Sequence, residues 1–285
     1  MDYANPDALV STAWLEEHLN APDVRVVDAT FYLPHDERVA AEEYAFRHIP
    51  GSVYFNIDEI CDSETDLPHM LPSAEVFASK VSKLGLGDGN RIVVYDSSGG
   101  FMAACRVWWM FRIFGHMDIA VLDGGLPKWT QENRRVDDNV VTPQERHFSA
   151  TMNHILIKNL TQMMNNLESH KFQVIDARSA GRFDGIDHEP RPTEKRGHIP
   201  GSFNLPFNGL LNMQQNCTFK SADEILTAFK DAGVDLSKPI TTSCGSGVTA
   251  SVSALALYLL GHDEVAVYDG SWAEWGDHPD TPVGP

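Results

Sequence analysis

The stretch "TTSCGSGVTASVSALALYLLG", residues 241–261, runs from a β-prone threonine pair through a glycine-rich loop into an Ala/Leu-rich helix. A strand that ends in such a loop and continues as a helix is the building step of a parallel α/β sheet. The surrounding sequence repeats that step. "FQVIDA" (172–177), "KPITTS" (238–243) and "EVAVYD" (264–269) are short β-branched runs, and 222–232 and 249–260 have helical spacing. Short apolar strands alternating with helices predict a parallel sheet covered on both faces, with any ligand beyond the carboxyl ends of the strands. Cys244 stands at one of those ends.

The whole pattern occurs twice. "VRVVDAT" (24–30) matches "FQVIDAR" (172–178), "HIPGSVYFNI" (48–57) matches "HIPGSFNLPF" (198–207), and "FGHMDIAVLDGGLPKW" (114–129) matches "LGHDEVAVYDGSWAEW" (260–275). The offsets are 148, 150 and 146 residues, the length of a domain rather than of a solenoid repeat. The expectation is two tandem α/β domains, 1–135 and 155–285, joined by a polar linker at 136–154. In the first unit the position of Cys244 falls on or near Asp96, so only the second unit carries a thiol there. Cys105 lies in the helix-like "AACRVWWMFRIF" and reads as packing.

Composition narrows the function. The formal net charge of −18 argues against nucleic acids and anionic membranes as partners, because both demand a basic surface. It also means that an anionic substrate must be caught by a local positive pocket. No run approaches the roughly 20 apolar residues of a membrane span. The start, "MDYANPDALVSTAWLEEHL", lacks a basic apolar leader, which points to the cytoplasm. The four cysteines form no CxxC pair, and HExxH is absent, so no metal site is expected.

The loop Cys244-Gly245-Ser246-Gly247-Val248-Thr249 suits an anion. Two glycines let the chain curl so that backbone N–H groups face a common centre, and the following helix aims its positive end there. A thiolate or persulfide at that centre would be stabilised and ready to act as a nucleophile. Set against this, free cysteines are commonly mere packing residues. A cysteine-dependent phosphatase would need an arginine six positions on, where this chain has Ala250.

Taken together, the doubled "HIPGS", "RVWWMFRIFGH", "LDGGLPKW", "HMLP" (69–72) and "CGSGVTA" ahead of "YDGSWAEW" resemble the rhodanese superfamily from about Leu9 to Trp275. Within it the chain is similar to the branch that uses mercaptopyruvate. The resemblance implies two rhodanese-like domains, a silent first and a catalytic second, a cysteine persulfide intermediate, and no cofactor. Thiosulfate-using members carry basic residues inside the cysteine loop, whereas Gly245, Ser246 and Gly247 are neutral. Arg182 in "GRF" and Arg191 in "EPR" match the family's grip on the α-keto acid, with Gly245, Gly247, Val248 and Thr249 completing the substrate site. By composition alone, 184–196 is equally a solvated charged loop, although Arg178, Arg182, Arg191, Lys195 and Arg196 together would make the required positive pocket. The match also implies a relay of Asp58, His69 and Ser246 across two domains; Asn56 departs from the family's usual aspartate there. The implied activity moves sulfur from 3-mercaptopyruvate to cyanide, a thiol or thioredoxin, and the absence of an evident exposed apolar helix points to a monomer. Thiosulfate as main donor, or a binding module without activity, are the alternatives. His48 and His198, present in both units, read as structural.

Overall fold

The computed structural model describes residues 1–33, 36–99 and 102–284. Five parallel strands form the first sheet: β1 (Leu9–Val10), β2 (Val24–Asp28), β3 (Val53–Tyr54), β4 (Arg91–Tyr95) and β5 (Ile119–Leu122), in the order β1-β5-β4-β2-β3. They alternate with α1 (Thr12–His18), α2 (Ala40–Phe46), α3 (Ala74–Lys83), α4 (Met102–Ile113) and α5 (Gly125–Gln131). The second half repeats the design with β6 (Ile157–Lys158), β7 (Gln173–Asp176) and β8 (Phe203–Asn204), then a small hairpin, β9 (Leu211–Asn212) and β10 (Thr218–Phe219), and finally β11 (Ile240–Ser243) and β12 (Ala266–Tyr268). Its helices are α6 (Leu160–Ser169), α7 (Ala180–Phe183), α8 (Ala222–Asp231), α9 (Ala250–Leu259) and α10 (Ser271–Trp275), and its sheet order, β6-β12-β11-β7-β8, is the same pattern.

Side-chain alternation explains how the halves meet. On β4, Ile92 and Val94 point to one face while Val93 and Tyr95 point to the other, as a period of two requires. The Ile92/Val94 face joins Ile175, Ile240 and Val267 of the second sheet in one core, whereas the outer faces keep separate cores around Trp129 and Trp275. Helices α4 and α9 lie between the sheets and pack on each other. Neither has a solvent face: Ala103 to Ile113 are all buried, Arg106 and Arg112 included. The segment between Asp137 and His154 contains neither helix nor strand, and lies along the first domain, with Phe148 buried against Phe77 and Phe111.

The two doubled histidines do equivalent jobs. Each pairs by backbone with a distant segment, His48 with Asp137 and His198 with Gly284, and each stacks on an aromatic ring, Tyr44 or Phe183. No helix among the described residues is long and apolar enough to cross a membrane.

Candidate active site

Parallel register brings the strand ends to a common edge. Asp28 faces Tyr95 and Asp176 faces Ser243, so Asp96 and Cys244 leave their sheets at corresponding points. Corresponding hydrogen bonds follow, Leu126 N to Asp96 O at 3.1 Å and Trp272 N to Cys244 O at 2.9 Å. The two mouths then differ. At the first, the Asp96 carboxylate itself accepts from Ser98 N, Ser98 Oγ and Ala104 N, so a side chain of the loop occupies its own cradle. Burial pushes that carboxyl above its usual range.

At the second mouth Cys244 is 2% exposed and forms part of the wall of a cavity of about 280 Å³. The cavity lies between the domains: Phe31, Leu33 and Met102 of the first face Ala177, Phe207 and Trp272 of the second. Arg182, Arg191, Gly245, Ser246, Val248 and Thr249 also line it. The N–H groups of Gly245, Ser246, Val248 and Thr249 have no acceptor among the described residues.

Other expected members of the site are placed differently. The N–H groups of Cys244 and Gly247 do not face the thiol, because both donate to Ser271 Oγ, at 3.2 and 3.0 Å. Gly247 turns away from the cavity altogether, with φ +74° and its carbonyl toward Arg106; a Cβ there would lie 2.8 Å from Arg106 Nη1. The expected positive cluster also contracts. Lys195 Nζ is spent on the carbonyls of His278 and Thr281, and Arg196 leans on His188. Arg178 is fully buried over the Trp272 ring and saturated by Asp176 at 2.6 Å and Glu189 at 2.8 Å. That leaves Arg182 and Arg191.

Glu189, unnoticed in the sequence, organises the first of these. Its carboxylate is 6% exposed and bridges Arg178 to Arg182, fixing the Arg182 guanidinium over Gly245. Arg191 is half-buried and donates through Nη2 to His69 Nε2 at 3.0 Å; its other donors have no acceptor among the described residues. Burial lowers its affinity for the proton, opposed by Asp58 and the Cys244 sulfur nearby. His69 Nδ1 lies 3.2 Å from Asp58 Oδ1, off the direction of a good hydrogen bond. Burial holds this histidine below the ordinary imidazole range, so it is neutral near pH 7, while His69 in turn holds Asp58 below the usual carboxylate range. The expected His69–Ser246 link is not formed, because Arg191 occupies Nε2. Asp58 and His69 thus stand behind the cavity wall, in contact with it through Arg191 and the edge of Phe31.

Ser271 was also missed. It is fully buried with φ +49°, and its counterpart in the first unit is Gly125, φ +52°. Left-handed backbone is costly for serine, and here its hydroxyl ties two amides of the cysteine loop to Tyr268 O. A serine where the silent copy has glycine was the available signal. Of the remaining cysteines, Cys105 is buried in α4, and Cys217 donates to Gly99 O. Cys61 donates to Asp58 O at 3.0 Å, and burial together with Asp58 and Asp62 raises its thiol above the ordinary range.

A family model described as a rhodanese-like domain matches residues 11–132 and again 159–278. The chain belongs to the rhodanese family. A human rhodanese-family protein named 3-mercaptopyruvate sulfurtransferase is 45% identical over 273 residues, covering 94% of this chain and 91% of its own. A chicken protein named thiosulfate sulfurtransferase is also 45% identical over 273 residues, covering 94% and 93%. Among solved structures, the rhodanese-fold 3-mercaptopyruvate sulfotransferase of Escherichia coli superposes with a TM-score of 0.85 at 38% identity, over 93% of this chain and 98% of that one. Overall identity is therefore equal for relatives named after two different donors, and the choice of donor has to come from the site.

Proposed function

We propose that this rhodanese-family chain is a sulfurtransferase that takes sulfur from 3-mercaptopyruvate, holds it as a persulfide on Cys244 and passes it to cyanide, another thiol or reduced thioredoxin. One observation carries the choice of donor. The cysteine loop is neutral, and the cations over the cavity with donors to spare are Arg182 and Arg191. That arrangement suits one carboxylate and a keto oxygen, which a guanidinium fork can grip together. A sulfur-bound dianion such as thiosulfate would need more positive charge at the loop than Arg182, already paired with Glu189, supplies.

In the proposed cycle the Cys244 thiolate attacks the donor sulfur. The sulfur–carbon bond breaks and its electron pair leaves on carbon as the enolate of pyruvate. The proton that began on the donor thiol ends on that carbon, so the products are the Cys244 persulfide anion and pyruvate, and no oxidant is consumed. Once Arg191 turns its Nη2 from His69 Nε2 to the donor carboxylate, neutral His69 is left with a free acceptor able to take that proton, with Ser246 as its outlet and Asp58 as its counter-charge. The free amides of Gly245, Ser246, Val248 and Thr249 hold the sulfur anion. A second substrate then removes the outer sulfur by double displacement. The reading has the protein act as a monomer in a reducing compartment such as the cytoplasm, in keeping with its four free thiols.

Comparing kcat/KM for the two donors on the purified protein tests this directly. Mercaptopyruvate should be preferred; a preference for thiosulfate would replace it as donor. Cys244→Ser should abolish transfer from either, and turnover retained in that variant would end the scheme.

A further inference from the structure

The deepest cation beside the cysteine loop does not line the cavity. Arg106, on α4 of the first domain, is fully buried. Its Nη2 donates to His69 O at 2.5 Å and to Asp269 Oδ1 at 2.6 Å, and its Nη1 reaches Gly247 O at 3.4 Å. The guanidinium stacks over Trp109 at 4.5 Å. A single planar group therefore holds the peptide of His69 in the first domain, the carboxylate at the end of β12 in the second, and the turn of the cysteine loop. His69 needs such a hold, because its φ of +62° is one that a non-glycine residue adopts at a cost.

The near-symmetry of the two halves separates this role from simple cementing. Each domain sends a loop across to the other. Leu71 N donates to Asp269 Oδ2 at 2.8 Å, and the matching Phe219 N donates to the matching Asp123 Oδ1 at 3.0 Å. Cys217, which takes the place of His69 over the silent mouth, shares its left-handed backbone at φ +55°. Domain pairing thus has two equivalent anchors. The arginine has no twin: the position on α9 that corresponds to Arg106 is Ala254. The guanidinium occurs only where a histidine faces a cysteine loop.

We infer that Arg106, paired with Asp269, is a positioning residue for the sulfur-transfer reaction, setting His69 in register with the cysteine loop across the domain boundary. This rests on the functional reading above. The test is a double-mutant cycle on the full chain, with pyruvate release from saturating mercaptopyruvate as readout. Arg106→Met should cut kcat about 100-fold, the penalty typical of an angstrom-scale misplacement, with KM nearly unchanged. Arg106→Lys, which keeps the charge but not the fork, should lose about tenfold. In a His69→Ala background, both substitutions should have almost no further effect on kcat, because the group they position is gone.

Equal losses in both backgrounds would show a structural role only and overturn the inference, as would an Arg106→Met enzyme with parental kcat. If Arg106→Met does not fold, Arg106→Lys carries the same comparison. A parent chain that releases no pyruvate from mercaptopyruvate would instead overturn the functional reading, a failure visible before any substitution is made.

Discussion

Replacing Ser271 by alanine removes one oxygen atom and leaves the left-handed backbone in place. That oxygen accepts from Cys244 N and Gly247 N and donates to Tyr268 O, all in a fully buried setting. Two amides lose their acceptor together. At about 1–3 kcal/mol for each buried donor left unmade, the two together cost roughly 2–6 kcal/mol. Glycine loses the same bonds but releases the strain at φ +49°, worth about 1 kcal/mol. The expected order of stability is therefore serine, then glycine, then alanine. In calorimetry, at about 2–4 °C per kcal/mol for domains of this size, Ser271→Ala should melt roughly 4–24 °C below the parent, with Ser271→Gly a few degrees above the alanine variant. Kinetics should not follow stability, because both variants lose the anchor of the cysteine loop and should slow persulfide formation alike. An alanine variant that melts with the parent would show that the Ser271 hydroxyl does not anchor the loop, and a glycine variant less stable than the alanine one would show that the left-handed backbone at 271 is not strained.

Two further outcomes can be checked with ordinary assays. Glu189→Gln should weaken the tether on Arg182 and raise KM for mercaptopyruvate about tenfold, equivalent to about 1.4 kcal/mol, with kcat little changed; an unchanged KM would mean that Arg182 needs no such support. Asp28 tests the electrostatics of the silent domain, where burial raises its carboxyl from an ordinary 3.8 to about 6. The folded chain then binds that proton more tightly than the unfolded one, so this group's contribution is complete below pH 4 and is lost as the pH rises through 6. Asp28→Asn should accordingly be more stable than the parent at pH 8, by up to about 3 kcal/mol for roughly two pH units, and match it near pH 4. Denaturant midpoints at the two pH values read this out, and a constant difference between them would contradict it.

The architecture was legible because its determinants are local. Alternation in β4, the glycines after Cys244 and the doubled blocks each constrain the chain within a few residues, and the strands at 173–176, 240–243 and 266–268 fall inside the predicted runs. The match of Cys244 with Asp96 followed from the repeat alone. What could not be read depends on which charge faces which across the fold. Residues 184–196 mix signs, and nothing local says that Glu189 turns inward while Lys195 turns to the C-terminal segment. Arg191 was expected to grip the substrate; it also donates to His69 Nε2, a contact between residues 122 positions apart that nothing local announces. Arg106 did leave a trace: a helix without a solvent face can carry a cation only if buried acceptors await it.

The proposed sulfur transfer depends on the Sγ atom of Cys244. Mass spectrometry of peptides from the protein exposed to mercaptopyruvate, without any acceptor, tests it most directly. The expected result is a gain of one sulfur atom on the peptide containing Cys244, removed again by cyanide, with Cys61, Cys105 and Cys217 unchanged. No gain at Cys244 while pyruvate is released, or the added sulfur on another cysteine, would contradict it.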